Sequence, residues 1–356
     1  ATIPLDKGDD FGVSSSIFKY PSILDIPLSA KVIDSLGTYF AKVNSSTAGI
    51  HIFGYIFSAI FCIQIIGPAL LINAVDIWPS DSIITKIFRI ICCLCDGPSI
   101  GHADQRLYLS LALSLLYLIS FLLICIRSYY FSKMQILASK EAICSYLYFA
   151  NILVLLLPLL LSGFPRAFYK ASHDEDTALS VAVIILVLIS YIISISTMFF
   201  FIFPRVLLEN IPLHGWISTL IVLPYISTNV SAMLSSSISF LPGIWRAIIP
   251  SLIFLLYAAI GSIIFVGNIY IKSCYSLFFG TIHYSASIIS FIQIFNICFQ
   301  KITPEILIIV LFLLIILFYI LLKMINTKRI SSIIFFYDEN METTNLRSVL
   351  DIHYKS

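Results

Sequence analysis

Apolar positions in this chain run together instead of alternating with polar ones. Stretches such as 107–126 are apolar on every face, and the polar residues gather in short segments between them. Membrane strands would appear as alternating segments of about 10 residues. An unbroken run of about 20 apolar residues is what a helix needs to cross a bilayer core of roughly 30 Å. The pattern therefore predicts an all-α integral membrane protein, a polytopic bundle of eight transmembrane helices at 49–75, 107–126, 142–162, 178–203, 216–241, 247–271, 277–299 and 306–322. His283, Gln293 and Asn296 interrupt the seventh, and a seven-span receptor follows if that stretch is not a crossing.

The flanks read differently. Residues 1–48 are mixed and polar, with a weak helical pattern over 28–40, and predict an extramembrane N-terminal segment. The membrane domain then covers 49–323, and 324–356 forms a short cytosolic tail. No basic stretch followed by a short apolar run marks a cleavable leader, so the first span is expected to direct insertion. Residues 82–95 are apolar but short, with Lys86 and Arg89 set against Ile83, Ile87, Ile90 and Ile91, which suits a helix lying along the membrane surface.

Composition agrees with the pattern and removes other classes. Hydrophobic residues make up 59% of the 356, charged residues 11%, and the mean hydropathy is +1.00, whereas soluble chains carry about 25% charge. A net charge of +2 spread thinly over loops gives no basic face for nucleic acid. The bilayer is the predicted partner. Trp78, Trp216 and Trp245 fall at predicted span ends, where an indole keeps its ring in lipid and its N–H in water, and are read as interface anchors.

Orientation follows from basic residues near span ends. Lys31, Lys42, Arg127, Lys133, Lys140, Arg205, Lys272, Lys323, Lys328 and Arg329 fall on one side. Lys86, Arg89, Arg106, Arg166, Lys170, Arg246 and Lys301 fall on the other. Ten against seven places both termini in the cytoplasm.

None of the eight predicted cores contains Asp, Glu, Lys or Arg. Ion-coupled transporters and proton relays usually mark their path with such groups, so coupled transport is disfavoured. The fifth span departs from the greasy pattern, with Ser227, Ser231, Ser235 and Ser239 at four-residue spacing beside Asn229. This stripe predicts either close helix packing or the wall of a solute path. The following span is its expected neighbour, through Ala258, Gly261 and Ser262.

Candidate chemistry elsewhere is thin. His51 and His283 lack the further ligands a metal needs, and Asp176 with Thr177 reads as a helix cap rather than a cation site. Cys92, Cys93 and Cys95 sit beside basic residues without a second cluster, which makes them candidates for lipidation. No phosphate loop, catalytic triad order or paired carboxylates stand out, so neither a cofactor nor an enzyme activity is expected.

Residues 203–216, Phe-Pro-Arg-Val-Leu-Leu-Glu-Asn-Ile-Pro-Leu-His-Gly-Trp, resemble a junction between spans in parabasalid adenylate/guanylate cyclase-like membrane proteins and their tiny-macrocysts-like relatives. Trp78-Pro79 after the first span and Ser162-Gly163-Phe164-Pro165 closing the third are similar too. The likeness covers about 14 residues in detail and residues 40–330 in layout. It implies a membrane module that anchors, and senses for, a cytosolic signalling domain or a second copy of itself. Cyclase activity would then reside in an effector domain, because the 33 residues of 324–356 are too few to bury a catalytic core. The alternative from another class is a transporter or channel for a small solute.

Overall fold

The computed structural model describes residues 28–46, 51–72, 74, 77–79, 82–96, 105–173, 175–202, 222–267, 273–299 and 302–340. Among the described residues every regular element is helical. In order these are α1 (Leu28–Ser46), α2 (His51–Leu70), α3 (Ile83–Ile91), α4 (Cys93–Asp96) and α5 (Gln105–Met134). One long bent helix follows, made of α6 (Ser139–Ser145), a π turn (Tyr146–Ile152), α7 (Leu153–Ser162) and α8 (Phe164–Ser172). Then come α9 (Thr177–Thr197) with a π turn at Met198–Ile202, α10 (Val222–Ser237), α11 (Ile248–Gly267), α12 (Ser273–Phe299) and α13 (Pro304–Asn340).

Six helical stretches are long and apolar enough to cross a membrane: Gln105–Met134, Ser139–Ser172, Thr177–Phe200, Gly243–Gly267, Cys274–Phe299 and Pro304–Lys328. The chain is thus a helical, multi-pass membrane protein by length and composition. These six correspond to every expected span except the first and the fifth. The apolar part of α2 is described over Ile56–Leu70, and α10 has 16 residues. The polar residues of the seventh stretch do not shorten it.

Lipid offers no hydrogen-bond partner, so polar and small side chains turn inward and set the helix contacts. On α5, Ser110, Ser114, Ser120 and Ser128 are buried while Leu122, Leu123 and Ile126 point outward. The Ser190 hydroxyl of α9 donates to Ser114 O across this seam at 3.1 Å. Gly163 marks the closest approach to α5, since a Cβ there would lie 2.0 Å from Ser110 Oγ and 2.9 Å from Arg106 O. Pro158 supplies no N–H to the preceding turn of α7. In that turn Tyr117 Oη donates to Leu153 O, and Gln64 Nε2 donates to Leu155 O at 2.6 Å.

The weak helical pattern of the N-terminal segment is a regular helix, α1, that packs on the bundle. Leu36, Tyr39, Phe40 and Val43 of α1 are buried against the bundle. Tyr39 meets Phe131 edge-on, and its hydroxyl shares a 2.7 Å hydrogen bond with Ser145. Burial holds that phenol above its ordinary range, which keeps it a neutral partner. A helix with this apolar stripe finds its partner on α5 and α6.

Helix α3 has the expected division of faces. Ile83, Ile87, Ile90 and Ile91 are exposed together, Thr85 is buried opposite, and Arg89 Nη2 donates to Trp78 O at 3.1 Å. Nine residues of helix are too few to cross.

Candidate functional site: buried polar groups of α10 and α12

Helix α10 sits centrally, touching α2, α4, α7, α8 and α11. Its small residues make this position available, because side chains no larger than Ser or Ala let five neighbours come close. Ser227, Asn229, Ser231 and Ser235 are buried as the stripe requires. Ser239 is not part of it. The α-helix ends at Ser237, and the tighter 3₁₀ turn Ile238–Phe240 swings Ser239 out to an exposed position.

The α10 hydroxyls mostly satisfy themselves. Ser227 and Thr228 both donate to Pro224 O at 2.8 Å, and Ser236 donates to Met233 O at 2.8 Å. Asn229 Nδ2 and Ser231 Oγ are buried without a hydrogen-bond partner among the described residues, as is Tyr191 Oη of α9. Tyr191 reaches Asn229 closely enough to interact with it. The expected contact with α11 exists, and two of the small residues of α11 also meet α12. Gly261 faces His283 and Tyr284 of α12, and Ser262 Oγ shares a 2.8 Å hydrogen bond with Tyr284 Oη. The small residues of α11 are used by the neighbour that follows it.

Helix α12 carries the richest set of buried polar groups, including Ser276, Thr281, His283, Ser285, Ser287, Ser290, Gln293 and Asn296. Several reach across to other elements. Ser287 Oγ donates to Phe254 O at 3.0 Å, and Gln293 Nε2 donates to Leu70 O at 2.7 Å. Asn296 Nδ2 donates to Gln293 Oε1 at 3.2 Å, while Asn296 Oδ1 accepts from the Ile302 amide at 3.1 Å. His283 is fully buried with its ring edge-on to Tyr257. Its Nδ1 lies 2.8 Å from Phe279 O and its Nε2 has no partner among the described residues.

Leu70 O is the meeting point because α2 stops there. Leu71 takes a left-handed backbone with φ of 52°, so the last carbonyls of the helix lose their intrahelical partners. The indole of Trp78 fills this gap, donating from Nε1 to Leu70 O at 2.8 Å. Trp78 is 0% exposed. It is a buried plug rather than an interface anchor, since its N–H is worth more on an orphan carbonyl than at the headgroups. Trp245 is 62% exposed in the turn Gly243–Ala247. Trp216, and with it the whole 203–216 junction, lies outside the described residues.

Beside this junction a cavity of about 430 Å³ opens between Ile77, the Gly243–Ala247 turn and the end of α12, with Arg246 and Asn296 on its wall. It is large enough for a small ligand and combines apolar walls with a guanidinium and an amide.

The cysteines are placed otherwise than a lipidation site demands. Cys92 and Cys95 are buried, with Cys95 Sγ 3.4 Å from Ile63 O and packed on Gly67, and only Cys93 is partly open. A transferase cannot reach a thiol held inside the bundle. Asp176 provides no side-chain cap to α9 and instead pairs with the buried ammonium of Lys170 at 3.2 Å. Among the described residues no three His, Cys, Asp or Glu side chains converge as metal ligands.

The arrangement can bind and position polar groups inside a membrane, through donors on α9 and α10 and through a carbonyl junction at the end of α2. Compared with protein-family models, curated proteins and solved structures, the chain matches none.

Proposed function

We propose that the chain is an eight-span membrane module that anchors, and senses for, a signalling effector of the cyclase-like class, with both termini in the cytoplasm. The observation that carries this reading is α13. Its 37 residues continue as one helix past the apolar window Pro304–Lys328 to Asn340. At a rise of about 1.5 Å per residue that is roughly 55 Å, against a bilayer core of about 30 Å. Helix α13 packs on α12, the helix richest in buried polar groups among those described. A change in how Gln293 or His283 is partnered would shift the seat of a helix that runs on beyond the apolar core. Helices α2 and α10 supply the remaining two crossings and bring the count to eight, an even number that keeps both termini on one side. In this reading the chemistry belongs to the effector.

A second reading, passage of a small neutral solute, is favoured by Ser231 Oγ, which has no partner among the described residues, beside the interacting Tyr191 and Asn229 inside the bundle. One pair of measurements separates the two. A crosslinker placed at Lys328 in native membranes should capture a cyclase-type domain, and proteoliposomes holding the chain should pass glycerol no faster than empty vesicles. Glycerol flux abolished by Ser231→Phe, with no domain captured, would overturn the signalling reading in favour of a solute path.

A further inference from the structure

The cavity of about 430 Å³ at the end of α12 is placed and lined for one kind of occupant. It lies where the apolar stretch Gly243–Gly267 begins and the stretch Cys274–Phe299 ends, which is headgroup level for helices that cross a bilayer. Its wall carries one cation, Arg246, and no carboxylate. A guanidinium presents five N–H donors in a planar fork that suits phosphate, so a neighbour held within the fold leaves donors for a bound oxyanion. Asn296, 2% exposed on the same wall, gives one of its two amide N–H groups to Gln293 and has the other to offer.

Ile77, Ile244 and Ile297 add apolar wall. A water molecule takes about 30 Å³ of liquid, so a bare phosphate ion would fill only a small part of this space and leave the isoleucines against water. The occupant is therefore an anion with an apolar body. That body has a track to lie on. Phe291 and Phe295 of α12 are exposed one turn apart, their rings 5.2 Å from each other, and Phe291 lies 5.4 Å from Phe254 of α11. Phe299, also exposed, continues the line to the cavity end of α12. These rings sit on the outside of the α11–α12 seam, where hydrocarbon is the surrounding phase.

We infer that the cavity holds the headgroup phosphate of an anionic phospholipid, with acyl chains along the phenylalanines. A zwitterionic headgroup is the poorer fit, because its ammonium would share the space with Arg246 and find no carboxylate on the wall. This site stands apart from the signalling reading, since its test follows lipid alone.

Cys298 lines the cavity and is exposed, whereas Cys274, also exposed, lies at the other end of the same helix. The full chain in phosphatidylcholine nanodiscs, with or without added phosphatidylglycerol, is treated with N-ethylmaleimide, and alkylation at each cysteine is followed by peptide mass spectrometry. Phosphatidylglycerol should slow Cys298 by roughly tenfold, as for a lipid present at about ten times its Kd, and leave Cys274 unchanged. Arg246→Gln should abolish the slowing, and Arg246→Lys should retain part of it. Should the Gln variant not fold, native mass spectrometry of the unaltered chain carries the test, with phosphatidylglycerol staying bound in detergent that strips phosphatidylcholine. Equal alkylation of Cys298 in the two mixtures, or equal retention of the two lipids, overturns the inference. So does slowing of both cysteines alike, or slowing that survives Arg246→Gln in folded protein. Protection of Cys298 by soluble glycerol 3-phosphate in phosphatidylcholine alone overturns it in favour of a water-soluble ligand.

Discussion

Helices α10 and α12 are both polar and both central, yet their side chains are used in opposite ways. On α10 the hydroxyls fold back on their own helix, and Ser231 Oγ deeper in the stripe has no partner among the described residues. On α12 the larger amides reach other elements, and Gln293 alone joins α2 to the segment leading into α13 through Leu70 O and Asn296. Small residues bring helices together by their size, whereas amides hold them by directional bonds. The two helices should therefore respond differently to the same kinds of substitution.

The largest effect is expected from enlarging the α10 stripe. Ser231 is 0% exposed, so Ser231→Leu forces neighbouring backbones apart and should cost about 1–3 kcal/mol as an overpacking term. Thermal unfolding in detergent would measure it, and unchanged stability would mean that the stripe does not face a tight contact.

A smaller loss is expected on α12 from Gln293→Leu, which keeps the volume but removes two hydrogen bonds. At about 0.6 kcal/mol for each intramembrane bond, with a ceiling near 1.7, roughly 1–2 kcal/mol should disappear. A double-mutant cycle with Asn296→Leu should show coupling between the two positions, and strict additivity would break the picture of a shared network.

The smallest effect sharpens the contrast most. Ser231→Ala removes a hydroxyl that has no partner among the described residues and should change stability by less than about 0.5 kcal/mol. A cost equal to that of Gln293→Leu would show that the hydroxyl does hold a partner, such as water or a solute.

The sequence pattern made the bilayer and the helices legible because about 20 apolar residues admit few other interpretations in a chain this poor in charge. It also located the α10 stripe, whose period of four depends only on helix geometry. What it missed depends on neighbours. In α12 the residues Gln293 and Asn296 looked like interruptions, and the signal that would have identified them is the end of α2, 223 positions away. Trp78 was misplaced for the same reason, since an indole near a span end can serve either the headgroups or an orphan carbonyl, and only Leu71 decides which. Basic neighbours make Cys92 and Cys95 lipidation candidates by sequence, whereas Gly67 of α2 leaves the room in which both thiols are buried. The buried stripe of α1 was visible as a weak pattern, but its partners on α5 and α6 were not.

The unbroken length of α13 has a mechanical consequence. A stiff rod seated on α12 through Phe318, stacked on Tyr284, and the buried Leu322 has an outer arm of 18 residues to Asn340, about 27 Å at the helical rise. Tilting such an arm by about 10° sweeps its tip through roughly 5 Å, close to one helical turn of about 5.4 Å. A sub-ångström adjustment against α12 near the pivot would thus be delivered at the far end as a displacement of several ångströms, with gear ratio set by nothing more than where the rod is gripped.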